Sequence, residues 1–267
     1  MSEPNPLSFS TDPAFNASAW AEYEANKTGP LTQARGNAIA FVPLPEVAPA
    51  SYANITAQTT AQASNDYLPT IYKGSKKLLA GVAAQRKVLA GLYSNAKAGI
   101  VEISVPAIGN GLLVALQKPL SRGTISINPA NPQGVPLIHY NAMTNPLDKS
   151  MLAACVRYVR QVWSRPEVAK FSPVETSPGV QYQTDSEIID HLIETSAILP
   201  TLSHPSCTCA MMPENLGGCV SDELLFYGVE KLSIVDASII PLVPSQHIQS
   251  TMYAIGEKAA CIISNRR

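Results

Sequence analysis

Two histidines in the last quarter of the chain, His204 and His247, are the residues best suited to proton chemistry. They lie on loops that flank a short apolar run at 232–235, which we interpret as a buried strand. Histidine is the usual general base near neutral pH and contributes ~10²–10⁴ to a rate in that role. The pair could therefore remove a proton from a hydroxyl group. His139 and His191 have no comparable setting, and we interpret them as structural.

Cysteines near His204 raise the alternative of a metal site. His204, Cys207, Cys209 and Cys219 offer four soft ligands within residues 204–219. Zinc sites usually separate paired cysteines by two to four residues, and the single residue between Cys207 and Cys209 suits one tetrahedral ion poorly. We predict no metal site. The chain has five cysteines, an odd number at irregular spacing, which favours free thiols over a disulfide framework.

Helices and an antiparallel sheet must position these residues. Apolar segments at 100–105, 112–117 and 123–127 lie between glycines and prolines, which predicts antiparallel strands, the last two joined near Pro119. The helix predicted over 148–163 has one apolar stripe, so we expect it to cover one face of that sheet. Further helices are predicted over 13–26, 75–93, from a capping box at 184–187 to about 196, and from 248 onward. The stretch from 45 to 70 shows no clear periodicity.

Composition and charge exclude several function classes. The 267 residues suffice for a large buried core, and a formal net charge of -1 gives no attraction to nucleic acid or to an acidic membrane. Only 15% of the residues are charged, against about 25% in an average soluble domain, so we expect part of the surface to be covered. We see no signal peptide and no membrane span, and the compartment stays open.

Ordered motifs run through the second half of the chain. They comprise His204, Thr208-Cys209, Met211, Tyr227-Gly228-Val229, Val235-Asp236-Ala237-Ser238 and His247, preceded by Gly29-Pro30-Leu31-Thr32, Ser121-Arg122-Gly123 and Asn145-Pro146-Leu147-Asp148. This series resembles the glucose-methanol-choline (GMC) family of FAD-dependent oxidoreductases, in its fungal branch of aryl-alcohol and glucose oxidases. The resemblance covers nearly the whole chain.

The resemblance implies an α+β fold. An antiparallel-sheet, substrate-binding domain with helices on one face would occupy residues 1–203. Residues 204–267 would form a C-terminal catalytic segment, a strand and a helix that return to an FAD-binding α/β domain. It further implies that His204 is the catalytic base and that His247 binds the substrate oxygen.

The resemblance also implies contacts with FAD. Asp236 and Ala237 correspond to the segment beside the ribityl and phosphate region, although Asp236 could equally cap a turn. Ile248 and Gln249 begin the final helix, whose N-terminus would stabilise negative charge on the reduced flavin. Ile248 could also be a core residue.

Two departures from the family pattern stand out. The chain contains no GxGxxG fingerprint for the pyrophosphate, and Gly109-Asn110-Gly111 leads into a strand, so we interpret it as a turn. We therefore expect the N-terminal FAD-binding half to be absent, with a partner chain as one possible source of it. The second departure is Cys207, where relatives commonly carry glycine, which bears on backbone shape beside His204.

These observations lead to one preferred function and two alternatives. We expect the C-terminal portion of an FAD-dependent oxidase or dehydrogenase that acts on a small-molecule alcohol, as in fungal secondary metabolism. A lyase or cyclase of the same family would use the same histidines without net redox change. A truncated, non-catalytic product would bind no FAD. Full-length relatives are often secreted, but the chain itself does not indicate its location.

Overall fold

The computed structural model describes residues 8–32, 36–106, 112–170 and 172–266. Its α-helices are α1 (Ser8–Thr11), α2 (Pro13–Asn26), α3 (Leu44–Val47), α4 (Tyr52–Ala61), α5 (Thr70–Lys73), α6 (Lys76–Tyr93), α7 (Pro146–Trp163), α8 (Pro166–Ala169), α9 (Asp185–Glu194) and α10 (Gln249–Ser264). Its strands are β1 (Gly36–Val42), β2 (Val101–Pro106), β3 (Leu113–Leu116), β4 (Thr124–Ser126) and β5 (Leu137–His139). The mixed helical and antiparallel architecture confirms the predicted fold class. The turn predicted at 109–111 lies outside the described residues.

The main sheet has the strand order β1-β2-β3, and both pairings are antiparallel. β4 pairs with β5 in a separate two-stranded sheet, so the expectation that 123–127 belongs to the main sheet, joined near Pro119, is wrong. Asp148 explains the break: its carboxylate accepts the backbone N–H groups of Leu120 and Ser121, at 2.7 Å each. Because these two amides bind a side chain and Pro119 has no N–H, the residues after β3 do not continue the backbone hydrogen bonds of the main sheet.

The principal core lies between the sheet and α7. Met151 and Cys155 on α7 are fully buried, as are Leu89 and Tyr93 on α6. α7 packs against β3, as its single apolar stripe predicts, and Asn145 caps its first turn by accepting from the Leu147 amide at 3.1 Å. Cys155 is a buried thiol whose pKa burial raises strongly. The thiol of Cys155 is therefore unreactive, and the residue contributes to packing.

α9 and α7 form a second core, which also packs against Val114 and Leu116 of β3. The capping box is present: the Thr184 hydroxyl accepts from the Glu187 amide at 3.3 Å, and the Glu187 carboxylate accepts from the Thr184 amide at 2.9 Å. Ile188 and Ile189 are buried in the same cluster as Ala153. The predicted helix is confirmed, with its end at Glu194 rather than near 196.

α4 was not predicted from the sequence. It lies in the stretch without periodicity, yet Ile55 and Thr59 are buried. The Thr59 hydroxyl donates to the Ile55 carbonyl at 2.8 Å. A polar side chain thus enters the core by bonding to its own helix, which a hydrophobic pattern does not reveal.

The C-terminal region differs from the sequence expectations in two places. Residues 232–235 form no regular strand: Ser233 makes one isolated bridge, to Leu225. A run of apolar residues becomes a strand only where neighbouring strands pair with it, and within the described chain this run forms one bridge.

The second difference is a disulfide bond between Cys209 and Cys219, which contradicts the expectation of free thiols. Their Cα atoms lie 4.8 Å apart, because the Cys219 amide donates to the Ala210 carbonyl.

Asp148 provides a test of this fold. Asp148→Leu removes the acceptor of two amides in a buried setting and should lower the free energy of unfolding by about 2–5 kcal/mol. Asp148→Asn keeps one acceptor oxygen and should cost less. Urea denaturation measures both, with the exposed Asp190→Asn as control. A loss below about 1 kcal/mol for Asp148→Leu would contradict the anchoring role.

Candidate active site

Backbone pairing between two loops creates the site. The amides of Cys207, Cys209 and Met211 donate to the carbonyls of Ala237, Ser238 and Ile239, at 3.2, 3.0 and 2.8 Å. This ladder fixes the loop that carries His204 against the turn that leads to His247. Sequence reasoning treated the two histidine loops as flanking a strand; the structure joins them directly.

Further contacts hold the His247 loop on the main sheet. The Ser245 hydroxyl donates to the Gly99 carbonyl at 2.5 Å, just before β2. The Lys118 ammonium donates to the Val243 carbonyl, just after β3. The loop therefore docks across the ends of two neighbouring strands.

The two imidazole rings approach each other closely, as the sequence predicts. The ring centroids of His204 and His247 lie 5.1 Å apart, and the ring planes meet at 54°. This separation suits two side chains that bind one oxygen atom in common.

A buried carboxylate on β2 fixes one of the two rings. The Glu102 side chain is 0% exposed, and its Oε1 lies 2.8 Å from His247 Nε2. Its Oε2 accepts from the side-chain amide nitrogen of Gln117, Nε2, at 2.6 Å. If Glu102 is ionised, its oxygens only accept hydrogen bonds; His247 then donates through Nε2–H, and Nδ1 is the nitrogen left for a ligand. His204, by contrast, has no ring hydrogen bond among the described residues.

Sequence reasoning missed Glu102 and Gln117. The available signal was an acid in an otherwise apolar strand, Val-Glu-Ile-Ser-Val at 101–105. A charged residue flanked by Val101 and Ile103 is rarely buried without a partner. Nothing in the pattern identifies His247 as that partner, since 145 positions separate the two.

The residues predicted to contact a cofactor lie on the turn that pairs with the His204 loop and at the start of α10. Asp236 is exposed and accepts from the Ser238 amide at 2.8 Å, so it does cap a turn. Ala237 contributes its carbonyl to the loop ladder. Ile248 is 8% exposed and packs in the interior, while Gln249 begins α10 at the surface.

α10 offers a binding feature that fits an anionic ligand. No side chain caps its first turn, so its first N–H groups remain for an outside acceptor. A helix N-terminus carries partial positive charge, which suits the negative pyrimidine edge of a reduced flavin. The donor set here thus fits that end of FAD. The contacts of Asp236, Ala237, Ile248 and Gln249 with FAD stay predictions.

The backbone at Cys207 explains one departure from the family pattern. Its φ is 71°, in the left-handed region that glycine adopts without steric cost. The position therefore has a backbone shape that suits glycine, which Cys207 adopts here.

The described residues do not support the alternative of a metal site at His204 and the neighbouring cysteines. Cys209 and Cys219 are joined in the disulfide, so their thiolates do not serve an ion. Across the described ranges, no three His, Cys, Asp or Glu side chains are grouped as metal ligands. Over the same residues, no helix has both the length and the apolar character needed to cross a membrane.

Comparison with known proteins identifies relatives. Residues 119–256 match the family described as GMC oxidoreductase. The chain is 33% identical over 213 residues to dehydrogenase xptC of Emericella nidulans, a match that covers 80% of this chain and 33% of that protein. It is 37% identical over 158 residues to patulin synthase of Penicillium expansum, which covers 57% of this chain and 24% of that protein.

Solved structures give the same result. An FAD-dependent oxidoreductase from Chaetomium thermophilum superposes with a TM-score of 0.90 at 32% identity, over 98% of this chain and 45% of that one. A fungal aryl-alcohol oxidase superposes with a TM-score of 0.86 at 32% identity, over 98% of this chain and 44% of that one. The chain thus spans about a third of the first curated relative and under half of each solved structure.

The tautomer of His247 tests the geometry without any need for activity. In the 267-residue chain, ¹⁵N imidazole spectra should show His247 protonated at Nε2. Glu102→Leu removes the acceptor and should give a mixture of tautomers, while the exposed His139 stays unchanged. Glu102→Gln is the isosteric variant in case leucine impairs folding, and it should shift the same signals. An unchanged His247 spectrum in both variants would contradict the contact.

Proposed function

The chain belongs to the GMC oxidoreductase family, and from that premise we propose that it is the C-terminal, substrate-binding portion of an FAD-dependent alcohol oxidase or dehydrogenase. The observation that carries the proposal is the His204–His247 pair, with one ring held by a buried acid and the other free. Oxidation of an alcohol to a carbonyl requires removal of the hydroxyl proton and of a hydride from the same carbinol group. The pair accounts for the proton.

His204 is the proposed base. Its ring nitrogens are not engaged by other described side chains, so one can accept the hydroxyl proton. In its protonated form, His247 binds the same oxygen from the other side: Nδ1–H donates to the developing alkoxide, and the Glu102 carboxylate stabilises the positive charge of the ring. General-base assistance of this type contributes ~10²–10⁴ to the rate.

FAD, when bound, supplies the position that accepts the hydride. The residues of this chain proposed to hold it are Asp236, Ala237, Ile248 and Gln249. The uncapped first turn of α10 would bind its pyrimidine edge through backbone N–H groups. A similar solved structure is that of an FAD-dependent oxidoreductase, which supports FAD as the cofactor.

The substrate is proposed to be a small alcohol of fungal secondary metabolism. The relatives named dehydrogenase xptC and patulin synthase are fungal, and the second name is that of a biosynthetic enzyme. A solved aryl-alcohol oxidase supports alcohol oxidation as the reaction class.

Replacement of the base tests the reaction. The chain is co-expressed with the flavin-binding half of a relative, and flavin bleaching by alcohol is followed without oxygen. His204→Asn should slow bleaching by about 10²–10⁴-fold, whereas His139→Asn should leave it unchanged. A wild-type rate for His204→Asn would contradict its role as base. Turnover of substrate with no bleaching in the wild type would instead indicate a lyase or cyclase.

Flavin retention is a second, separable prediction. No GxGxxG turn is present in the 267 residues, so the pyrophosphate of FAD lacks its usual backbone cradle. We expect the chain, expressed alone with excess FAD, to lose flavin during gel filtration. Co-expression with the half that carries the fingerprint should restore it. A yellow, monodisperse protein from the chain alone would contradict this expectation.

A further inference from the structure

A small cavity of about 130 Å³ lies beside the loop that follows His204. One water molecule needs about 10–15 Å³ of such space, so the cavity has room for a compact ligand. Its lining includes Gln117, Lys118, Ser121, Arg122, Ser206 and Cys207. Two basic residues and a cysteine thus line the same partly open cavity.

Lys118 is a buried cation with no carboxylate partner among the described residues. The residue is 7% exposed, and the described contact of its ammonium group is the carbonyl of Val243. Burial lowers its pKa to about 8, and the interaction that opposes this shift comes from Cys207 rather than from a carboxylate. Glu102, the nearest buried acid along the sheet, uses its two oxygens on Gln117 and His247. An ammonium group has three donors, so Lys118 retains hydrogen-bonding capacity toward the cavity.

Arg122 has no acidic hydrogen-bond partner among the described residues. Its guanidinium donates to the carbonyls of Pro119, Leu120 and Ser121 and to the Gln85 side-chain oxygen. All of these acceptors are neutral.

The neighbouring acids act on the two arginines of this region and not on Lys118. Asp148 is fully buried, and its carboxylate oxygens accept the Leu120 and Ser121 amides; burial raises its pKa, and the charge of Arg122 opposes that effect. Burial and the charge of Arg122 lower the pKa of Arg86, and the charge of Asp66 opposes them. Lys118 is therefore the buried cation that has no carboxylate partner among the described residues, which costs free energy unless an anion compensates it.

We propose that this cavity binds a compact oxyanion, a carboxylate group or inorganic phosphate, between Lys118 and Arg122. The oxyanion accepts hydrogen bonds from the Lys118 ammonium and the Ser206 hydroxyl and compensates the charge of Lys118. Cys207 provides the thiol wall of the site. The site is separate from the histidine pair and does not depend on the oxidation chemistry proposed above.

Thermal unfolding of the wild-type chain is the first test. Acetate and phosphate are compared with chloride at equal ionic strength, and acetamide serves as the neutral counterpart of acetate. At ten times Kd, acetate or phosphate should raise Tm by about 3–6 °C, and acetamide should not. A rise with acetate alone assigns a carboxylate site, and a rise with phosphate an inorganic-anion site. No rise with either would overturn the proposal.

A matched pair of variants locates the site. Cys207→Asp places a carboxylate at the cavity wall, and Cys207→Asn places its neutral isostere there; both residues tolerate the left-handed backbone. Cys207→Asp should exceed Cys207→Asn in Tm by about 3 °C or more and lose its response to acetate, while Cys207→Asn keeps that response. Equal Tm values for the pair would overturn the proposal.

Removal of one cation completes the test. Lys118→Met should weaken acetate binding at least about tenfold, as expected for the loss of a charged hydrogen bond. Lys97→Met, at an exposed position, removes the same charge elsewhere and should bind as the wild type does. Equal affinity in Lys118→Met and the wild type would place the anion outside the cavity and contradict the assignment.

Discussion

The buried carboxylate of Glu102 is the constraint on which the site depends. A charge with no exposure to water is tolerated only when its oxygens are hydrogen-bonded, and Glu102 has one partner on β3 and one on the C-terminal loop. Release of that loop would leave the carboxylate short of a partner, at a cost of several kcal/mol. The interaction that orients His247 is therefore also an interaction that keeps the loop docked on the sheet.

The remainder of the site follows from contacts distant in sequence. The ladder between 207–211 and 237–239 brings His204 to the same place as His247, and the Cys209–Cys219 disulfide closes the segment between them. Ser245 and Lys118 hold the final loop across the ends of β2 and β3. The position of residues 204–267 thus depends on their contacts with the main sheet.

Local patterns predicted local structure well and long-range pairing poorly. The cap of α9, the stripe of α7 and the final helix were each predictable from a few adjacent residues. The histidine pair was predictable because ordered motifs identify its family. Glu102, the disulfide and the separation of β4 from the main sheet were not, since each depends on a partner far along the chain. The run at 232–235 has the composition of a strand, but among the described residues it forms a single isolated bridge, between Ser233 and Leu225.

The coupling between Glu102 and His247 is the quantity that tests this account most directly. A double-mutant cycle with Glu102→Gln, His247→Asn and the combined variant, measured by urea unfolding of the 267-residue chain, isolates their interaction. The account predicts a coupling free energy of about 1–3 kcal/mol, in the range measured for groups in one hydrogen-bonded network. Additivity within about 0.5 kcal/mol would contradict it, because His247 would then be held in place by something other than the buried acid.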